Sequence, residues 1–320
     1  NNLIMIEYSS PNTNKPLHLG HIRNNLIGMS MSRIYEFSGY KTIKSCVVND
    51  RGIHICKSML AYQKWGKNKK PNKKPDHFVG DFYVLFSKKV QENPSLEEAA
   101  QELLRKWEQH DKKTIDLWKK MNKWVYQGFN KTYKILGSEF DKIYYESDFY
   151  EKGKDIVLKG LEDHRLIEKD GAILVDLSQF NLPNKILMRS DKTSLYATQD
   201  IYLTQLKFKE YPLKKSIYVV GNEQDMYFQQ LFATLKVLGY EWYKDCHHLS
   251  YGYVSLPSGR MKSREGTVID ADNLIEKLTM LAEKELKKRL KLSSLELKKR
   301  SIKISLAAIK YFFLKYETLK

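Results

Sequence analysis

The most constraining stretch of this chain runs from Leu3 to Gly39. Residues 3–6 form an apolar run short enough for a buried strand. Pro11 and Pro16 then keep any regular element from crossing the loop that begins at Ser9. His18-Leu19-Gly20-His21 follows, with Ile22, Leu26, Met29 and Phe37 at roughly helical spacing until Gly39 closes the helix. Strand, loop, two histidines astride a glycine and then a helix place imidazoles and unpaired backbone N–H groups where a phosphate can sit. Histidines fall near helix starts by chance, so this motif needs support from elsewhere in the chain.

Residues 42–48 alternate and are β-branched, which predicts a second strand parallel to the first. The resulting βαβ unit opens a Rossmann-type sheet, with Asn49-Asp50-Arg51-Gly52 at the carboxyl end where such sheets bind ligands. A helix over 54–65 ends at Gly66, and the basic, proline-containing run 67–76 marks the start of an insertion. Ser95-Leu96-Glu97-Glu98 reads as a capping box. Leu104, Trp107, Ile115, Trp118, Met121, Val125, Phe129 and Tyr133 predict two or three tryptophan-packed helices, broken near Asp111 and ended by Gly137. Short strands at 143–145 and 172–177 flank a helix near 154–163, and Asp170-Gly171 signals a hairpin. The sheet is expected to resume at 186–189, with further strands at 217–220 and 248–254, and helices from Thr198 and through Phe228 to Leu238. Residues 256–267 form a loop rich in Gly, Ser and positive charge, and Ala271 opens a helical run to the end.

The expected class is therefore α/β. Residues 1–66 and 186–270 are the halves of a Rossmann-type catalytic domain with a parallel sheet, 67–185 an inserted α+β module, and 271–320 a helical segment.

Bulk properties narrow the partners. Hydrophobic residues make up 42% of the 320, ample for a packed core, and no apolar run nears the ~20 residues needed to span a bilayer. Neither a membrane nor DNA is an expected partner. The chain begins directly with strand-like sequence, without a signal peptide or an initiating Met, and reads as a fragment of something longer. Cys46, Cys56 and Cys246 are odd in number and widely spaced, which argues against zinc or disulfides and for thiols in a reducing cytoplasm. The net charge is +17, and residues 281–320 carry 12 Lys/Arg against 4 Asp/Glu, a local +8 suited to a polyanion.

The basic loop supplies the support that the histidine motif needs. Arg260, Lys262 and Arg264 lie between Gly259 and Gly266, with Ser263 and Thr267 as small donors. Cations on such a loop can stabilise the charge that builds on a departing pyrophosphate.

At this point the chain resembles the class I aminoacyl-tRNA synthetases, the arginyl-tRNA synthetases in particular, over essentially its whole length. The matching segments are Glu7-Tyr8-Ser9-Ser10-Pro11-Asn12, Lys15-Pro16-Leu17-His18-Leu19-Gly20-His21, Asn49-Asp50-Arg51-Gly52, Arg189-Ser190-Asp191 and Leu195-Tyr196. Thr198-Gln199-Asp200, the run from Tyr218 to Gln224, and the run from Gly259 to Arg264 complete them. The resemblance implies activation of L-arginine by ATP, accompanied by Mg2+, and transfer to tRNA(Arg). His18 and His21 would contact the ATP phosphates, with Gly20, Gly221, Met261 and Ser263 also at the nucleotide. Lys15, Arg260 and Lys262 would neutralise phosphate charge. Lys15 takes the part of the second signature-loop lysine, whose place Ser263 holds. Glu7, Tyr196 and Asp200 would face the guanidinium, and Ser10, Asn12 and Gln224 the head group. ATP-bound Mg2+ keeps a shell of water and phosphate, so no dedicated metal ligands are expected.

Two departures from the family pattern stand out. Lys192 replaces a usual glycine, and Tyr227 a usual histidine near the adenine. Family members also carry an N-terminal domain and a C-terminal anticodon-binding domain, so the chain reads as the catalytic domain alone. The alternatives are a different HxGH synthetase or nucleotidyltransferase, and a noncatalytic RNA-binding derivative.

Overall fold

A computed structural model describes residues 2–191, 196–252 and 269–315, apart from the Tyr196 side chain. Strand β1 (Leu3–Glu7) is apolar and buried along most of its length, as a strand covered on both faces requires. Helix α1 (Leu19–Phe37) returns the chain to β2 (Lys41–Val48), which pairs parallel with β1 from Leu3↔Lys41 to Glu7↔Ser45. Gly39 turns the corner between them at φ +85°, a left-handed conformation that glycine adopts without strain.

Helices α2 (Ile53–Trp65), α3 (Pro75–Glu92), α4 (Ser95–Glu108) and α5 (Lys112–Leu136) then form a layer. Their apolar faces share one core with Leu19, Ile22 and Leu26 of α1. Pro75 occupies the first position of α3, where its missing N–H is harmless. Asp111 caps α5 by accepting from the Thr114 N–H, and Gly137 ends it at φ +76°. Trp107 and Trp118 pack edge to face with centroids 5.4 Å apart, so these tryptophans are core. The expected capping box at Ser95 is not formed. Asn93 Oδ1 accepts from both the N–H and the hydroxyl of Ser95, which moves the helix start ahead of the serine.

Strand β3 (Lys142–Tyr145) follows, then α6 (Glu146–Phe149), α7 (Lys154–Glu162), β4 (Ile167–Lys169), β5 (Ala172–Val175) and β6 (Lys185–Met188). Helix α8 (Tyr196–Glu210), β7 (Lys215–Gly221), α9 (Asp225–Val237), β8 (Cys246–Tyr251), α10 (Ala271–Arg289) and α11 (Ser294–Leu314) complete the chain. The central sheet is parallel with order β3-β2-β1-β7-β8, and β4-β5-β6 is a small antiparallel sheet. Asp170 and Gly171 join β4 to β5 with φ of +52° and +74°, the turn in which both central residues are left-handed.

Two strand placements differ from expectation. β3, within the stretch read as an insertion, is the edge of the central sheet, and β6 pairs with β5 instead of resuming that sheet. A three-residue apolar run does not reveal which sheet it will join. The helical run from Ala271 is also two helices, divided where Ser293 caps α11.

Asp50, just past β2, ties the helical layer to the sheet. Its carbonyl accepts from Trp118 Nε1 and Asn122 Nδ2 at 2.6 and 3.0 Å, and its carboxylate from Tyr126 and Ser147. At Gly28, where α1 crosses β1, an added Cβ would lie 2.3 Å from the Tyr8 ring. Gly28→Ala should therefore force Tyr8 aside and destabilise the fold by about 1–3 kcal/mol, as overpacking does. Denaturant unfolding checks this, and an unchanged midpoint would show that the contact is soft.

Candidate functional site

β1 has β2 on one side and β7 on the other, so the connection leaving β1 for β2 and the one leaving β7 for β8 run in opposite directions. That is the switch point where an open α/β sheet has its ligand crevice. Glu7 ends β1 at the crevice, followed by Ser9 and Ser10 at φ +79° and +43°, an uncommon conformation for residues other than glycine. Helix α1 holds this turn. Asn24 Oδ1 accepts from the Ser9 N–H, Asn25 Nδ2 donates to Ser9 Oγ, and Tyr133 Oη lies 2.7 Å from Ser9 Oγ.

The two histidines cap α1 reciprocally. His18 Nδ1 accepts from the Gly20 N–H at 3.1 Å, and His21 Nδ1 accepts from the His18 N–H at 3.1 Å. Their rings lie 3.9 Å apart. Burial, with the Lys15 charge adding to it, lowers His18 to about 4. Burial, His18 and Lys15 also hold the His21 pKa well below its ordinary value. Both rings are therefore neutral at pH 7, and because each Nδ1 is an acceptor the proton sits on Nε2. Gly20 permits this arrangement, since a Cβ there would stand 3.0 Å from His18 Cε1.

A cavity of about 220 Å³ beside His18 is lined by Lys15, His77, Asp81, Asp270 and Asn273. The chain returns to the motif at this point. Leu19 N–H donates to the Ile269 carbonyl and Ala271 N–H to the Leu17 carbonyl, each at 3.0 Å, around an antiparallel His18↔Asp270 bridge. At the other end of the intervening segment, the Tyr251 hydroxyl is 3.0 Å from Asn24 Nδ2 on the same helix. Tyr251 and Ile269 therefore both touch α1. Arg260, Met261, Lys262 and Ser263 fall outside the described residues, as do Lys192 and the Tyr196 side chain.

On the other side of the crevice, Glu7, Ser10, Asn49, Asp200 and Lys207 line a cavity of about 140 Å³. Asn49, Glu146, Gln199, Asp200, Gln224 and Tyr227 line an adjoining one of about 540 Å³. Burial raises Asp200 to about 6, with Glu7 adding to the effect and a hydrogen bond from the Tyr227 hydroxyl opposing it. Burial likewise raises Glu146 to about 7, opposed by Arg51 and reinforced by Asp50 and Asp200. Two partly desolvated carboxyl groups thus face one cavity, a setting that favours a cationic ligand.

Of the residues named from sequence, Glu7, Ser10, Asp200 and Gln224 meet at these cavities, and Lys15, His18, Gly20 and His21 meet at the head of α1. Gly221 ends β7 and is followed by the short turn Asn222–Gln224. Asn12 is exposed, and its backbone forms a parallel bridge with Asn49. Glu7 lines the smaller cavity but is not a lone carboxylate there. One carboxylate oxygen is taken by the fully buried Lys207 ammonium, so this carboxylate is already paired. Tyr227 serves Asp200 directly.

Sequence reading missed Lys207 and Glu146. Lys207 was legible in part, because Asp200, Leu203, Thr204 and Lys207 recur at the spacing of one helix face. Glu146 had no local signal. The cysteines are free and buried, and burial pushes the thiols of Cys46, Cys56 and Cys246 up to about 12. Among the described residues no helix is long and apolar enough to cross a membrane.

The family model for class I (R) tRNA synthetases, catalytic domain, matches residues 1–320. An arginine–tRNA ligase of Porphyromonas gingivalis is 49% identical over 342 aligned positions, covering 99% of this chain and 57% of the relative. One from Treponema denticola is 56% identical, covering 86% of this chain and 48% of the relative. The chain thus spans about half the length of the curated relatives it matches. The Thermus thermophilus arginyl-tRNA synthetase structure superposes with TM-score 0.83 at 22% identity, covering 100% of this chain and 59% of that one. The Plasmodium falciparum structure does so with TM-score 0.80 at 21% identity, covering 100% and 53%. At these identities the likeness concerns the fold.

Lys207→Met would leave the Glu7 carboxylate buried without its cation, at a cost of about 3–5 kcal/mol. The double variant Glu7→Gln/Lys207→Met should recover most of that loss. Chemical denaturation of both variants checks the pairing, and equal instability of the two would disprove it.

Proposed function

Because the chain belongs to the class I arginyl-tRNA synthetase family, in its catalytic domain, we propose that it activates L-arginine with ATP and serves transfer of the arginyl group to tRNA(Arg). The observation that carries this is the crevice itself, with neutral histidine donors at a helix N-terminus on one side and two desolvated carboxyl groups on the other.

Arginine offers a planar five-donor guanidinium that keeps its charge. We assign the fork to Asp200, with Glu146 on the same cavity wall and Tyr227 orienting the Asp200 carboxylate. Glu7, neutralised by Lys207, shapes the inner end of the pocket and adds little net charge. Gln224 and Ser10 line the walls that would take the head group, where family resemblance also assigns Asn12, and the same resemblance assigns Tyr196 to the guanidinium.

The substrate carboxylate attacks the α-phosphorus of ATP, the bond to the pyrophosphate breaks, and the leaving group departs with the electron pair. His18 and His21 present Nε2–H donors at the head of α1, where backbone N–H groups add a fixed positive end. Neutral donors fit this role, since they stabilise charge as it develops without binding the triphosphate equally well beforehand. Lys15 supplies charge from the adjoining cavity wall. Arg260 and Lys262 are assigned to the same task by resemblance, and Gly221, Met261 and Ser263 to the nucleotide. Mg2+ is assigned as the ion that arrives with ATP, held by phosphate and water. The basic 281–320 segment is consistent with a polyanionic RNA partner, and a cytoplasmic location with the free thiols.

Pyrophosphate exchange with the intact protein, arginine and tRNA tests the assignment, and exchange driven by another amino acid would refute it. His18→Ala should lower the activation rate about 100-fold to 1,000-fold, as loss of one transition-state donor does. Asp200→Asn should cost about 2–5 kcal/mol of arginine binding, a rise in Kd of at least roughly 30-fold. The guanidinium needs both carboxyl groups ionised, so arginine affinity should fall as pH drops through about 7 and then about 6. Calorimetric titration from about pH 8 to about pH 5.5 reads this, and a flat profile would exclude Asp200 and Glu146 as the anionic partners.

A further inference from the structure

Outside the crevice, a group of interlocked titratable side chains lies where α3, α5 and α10 meet. Lys74 Nζ reaches Asp76 Oδ2 at 2.8 Å, Asp272 Oδ2 at 2.7 Å and Thr132 Oγ1 at 2.6 Å. The Thr132 hydroxyl donates to Asp272 Oδ1 at 2.9 Å. His77 Nε2 lies 2.7 Å from Asp272 Oδ2 and 3.3 Å from Asp270 Oδ2. Asp76 is fully buried and fits only because residue 128 is glycine, where a Cβ would stand 2.2 Å from the Asp76 carboxyl.

Asp76, His77 and Asp272 have ligand atoms within 4.8 Å of one another, a spacing that could hold a metal ion. The Lys74 ammonium already bridges the two carboxylates, so the group is a crosslink between helices with its own cation. Its significance lies in what it adjoins. Asp270 Oδ1 caps α10 through the Asp272 and Asn273 N–H groups, and the Asp270 backbone bridges to His18. Independently, α3 presses on the residues before the histidines, since a Cβ at Gly80 would meet Pro16 Cδ at 2.8 Å.

We propose that His77 is a positioning residue for the two-histidine site, which grips Asp270 and Asp272 and thereby fixes the backbone pairing of 269–271 with Leu17–Leu19 that sets where His18 stands. Asp270 and Asp272 are like charges two residues apart. Lys74 balances Asp272, and His77 reaches both. Against burial, His77 and Lys74 hold the Asp272 carboxyl at about 2, while burial raises that of Asp270. For His77, the hydrogen bond to Asp272 and the charges of Asp270, Asp76 and Asp272 outweigh burial and raise its pKa. Lys15 and Asp81 share the adjoining cavity. The link to catalysis rests on the phosphate-site assignment above, whereas the positioning itself does not.

The test compares the wild type, His77→Ala and His77→Gln in the intact protein by backbone hydrogen exchange and by arginine-dependent pyrophosphate exchange. In His77→Ala the Leu19 and Ala271 amides should exchange at least roughly 10-fold faster, with amides in the body of α1 unchanged. The activation kcat should fall at least about 10-fold with the arginine KM within about 2-fold, and His77→Gln should restore most of it. Unchanged exchange at both amides, or a KM loss equal to the kcat loss, overturns the proposal. If His77→Ala does not fold, Asp270→Asn carries the test, because asparagine keeps the helix cap and removes the charge. Wild-type exchange at Leu19 and Ala271 in that variant overturns it equally. A wild-type protein without arginine-dependent activity would refute the functional assignment, while hydrogen exchange would still decide the positioning.

Discussion

The N-terminus of α1 is the constraint on which the rest depends. The first N–H groups of a helix have no partners within it, and Ser, Thr, Asp or Asn normally supplies the missing acceptor. Here two imidazoles do so, each accepting at Nδ1. That choice leaves Nε2–H as the remaining donor, and with His18 half-buried and His21 buried it makes both poor bases. Glycine between them suits this packing, since a Cβ at position 20 would stand 3.0 Å from the His18 ring and press it to shift by a few tenths of an ångström. The same helix reaches forward through Asn24 and Asn25 to brace the left-handed turn at Ser9. One helix end thus sets both sides of the crevice.

Charge is distributed around that crevice by pairing. Glu7 is the carboxylate nearest the centre of the sheet, and Lys207 cancels most of its charge within the fold. Asp200 and Glu146 are only partly compensated, by Tyr227 and by Arg51, and burial raises both. A desolvated pair of acids costs stability in the absence of a cation and returns it when one binds, which makes them suited to recognition. The head of α1 carries the opposite sign, with Lys15 and the helix dipole. A positive helix end and an acidic pair of cavities are thereby set apart within the same domain.

The helical layer α3–α5 supports both ends. Asp50 joins its far side to the central sheet through Trp118, Asn122 and Tyr126 of α5. Lys74, His77 and Thr132 join its near side to the segment that pairs with His18. The stretch between the two halves of the sheet is accordingly packed into the domain, and its β3 is one of the sheet's own strands.

Much of this was legible in the chain because the signals are local. An apolar run beside a proline-bounded loop, Gly39 and Gly137 after helices, Asp111 at a helix break and Asp170-Gly171 in a hairpin each act through their own backbone. The histidine motif and the residues Glu7, Ser10, Asp200 and Gln224 were likewise readable as segments; the structure sets the first at the head of α1 and gathers the others at two adjoining cavities. What no segment could reveal was pairing across distance. Glu7 meets Lys207 two hundred residues later, β3 joins β2 across the helical layer, and Asp270 returns to His18. Glu146 gains its role only through the carboxyl and guanidinium groups around it. The sequence by itself determined which backbone turns and caps are possible, since those depend on neighbours along the chain. Tertiary structure alone decided which charges are neutralised and which remain for a ligand, because burial and Coulombic pairing depend on neighbours in space.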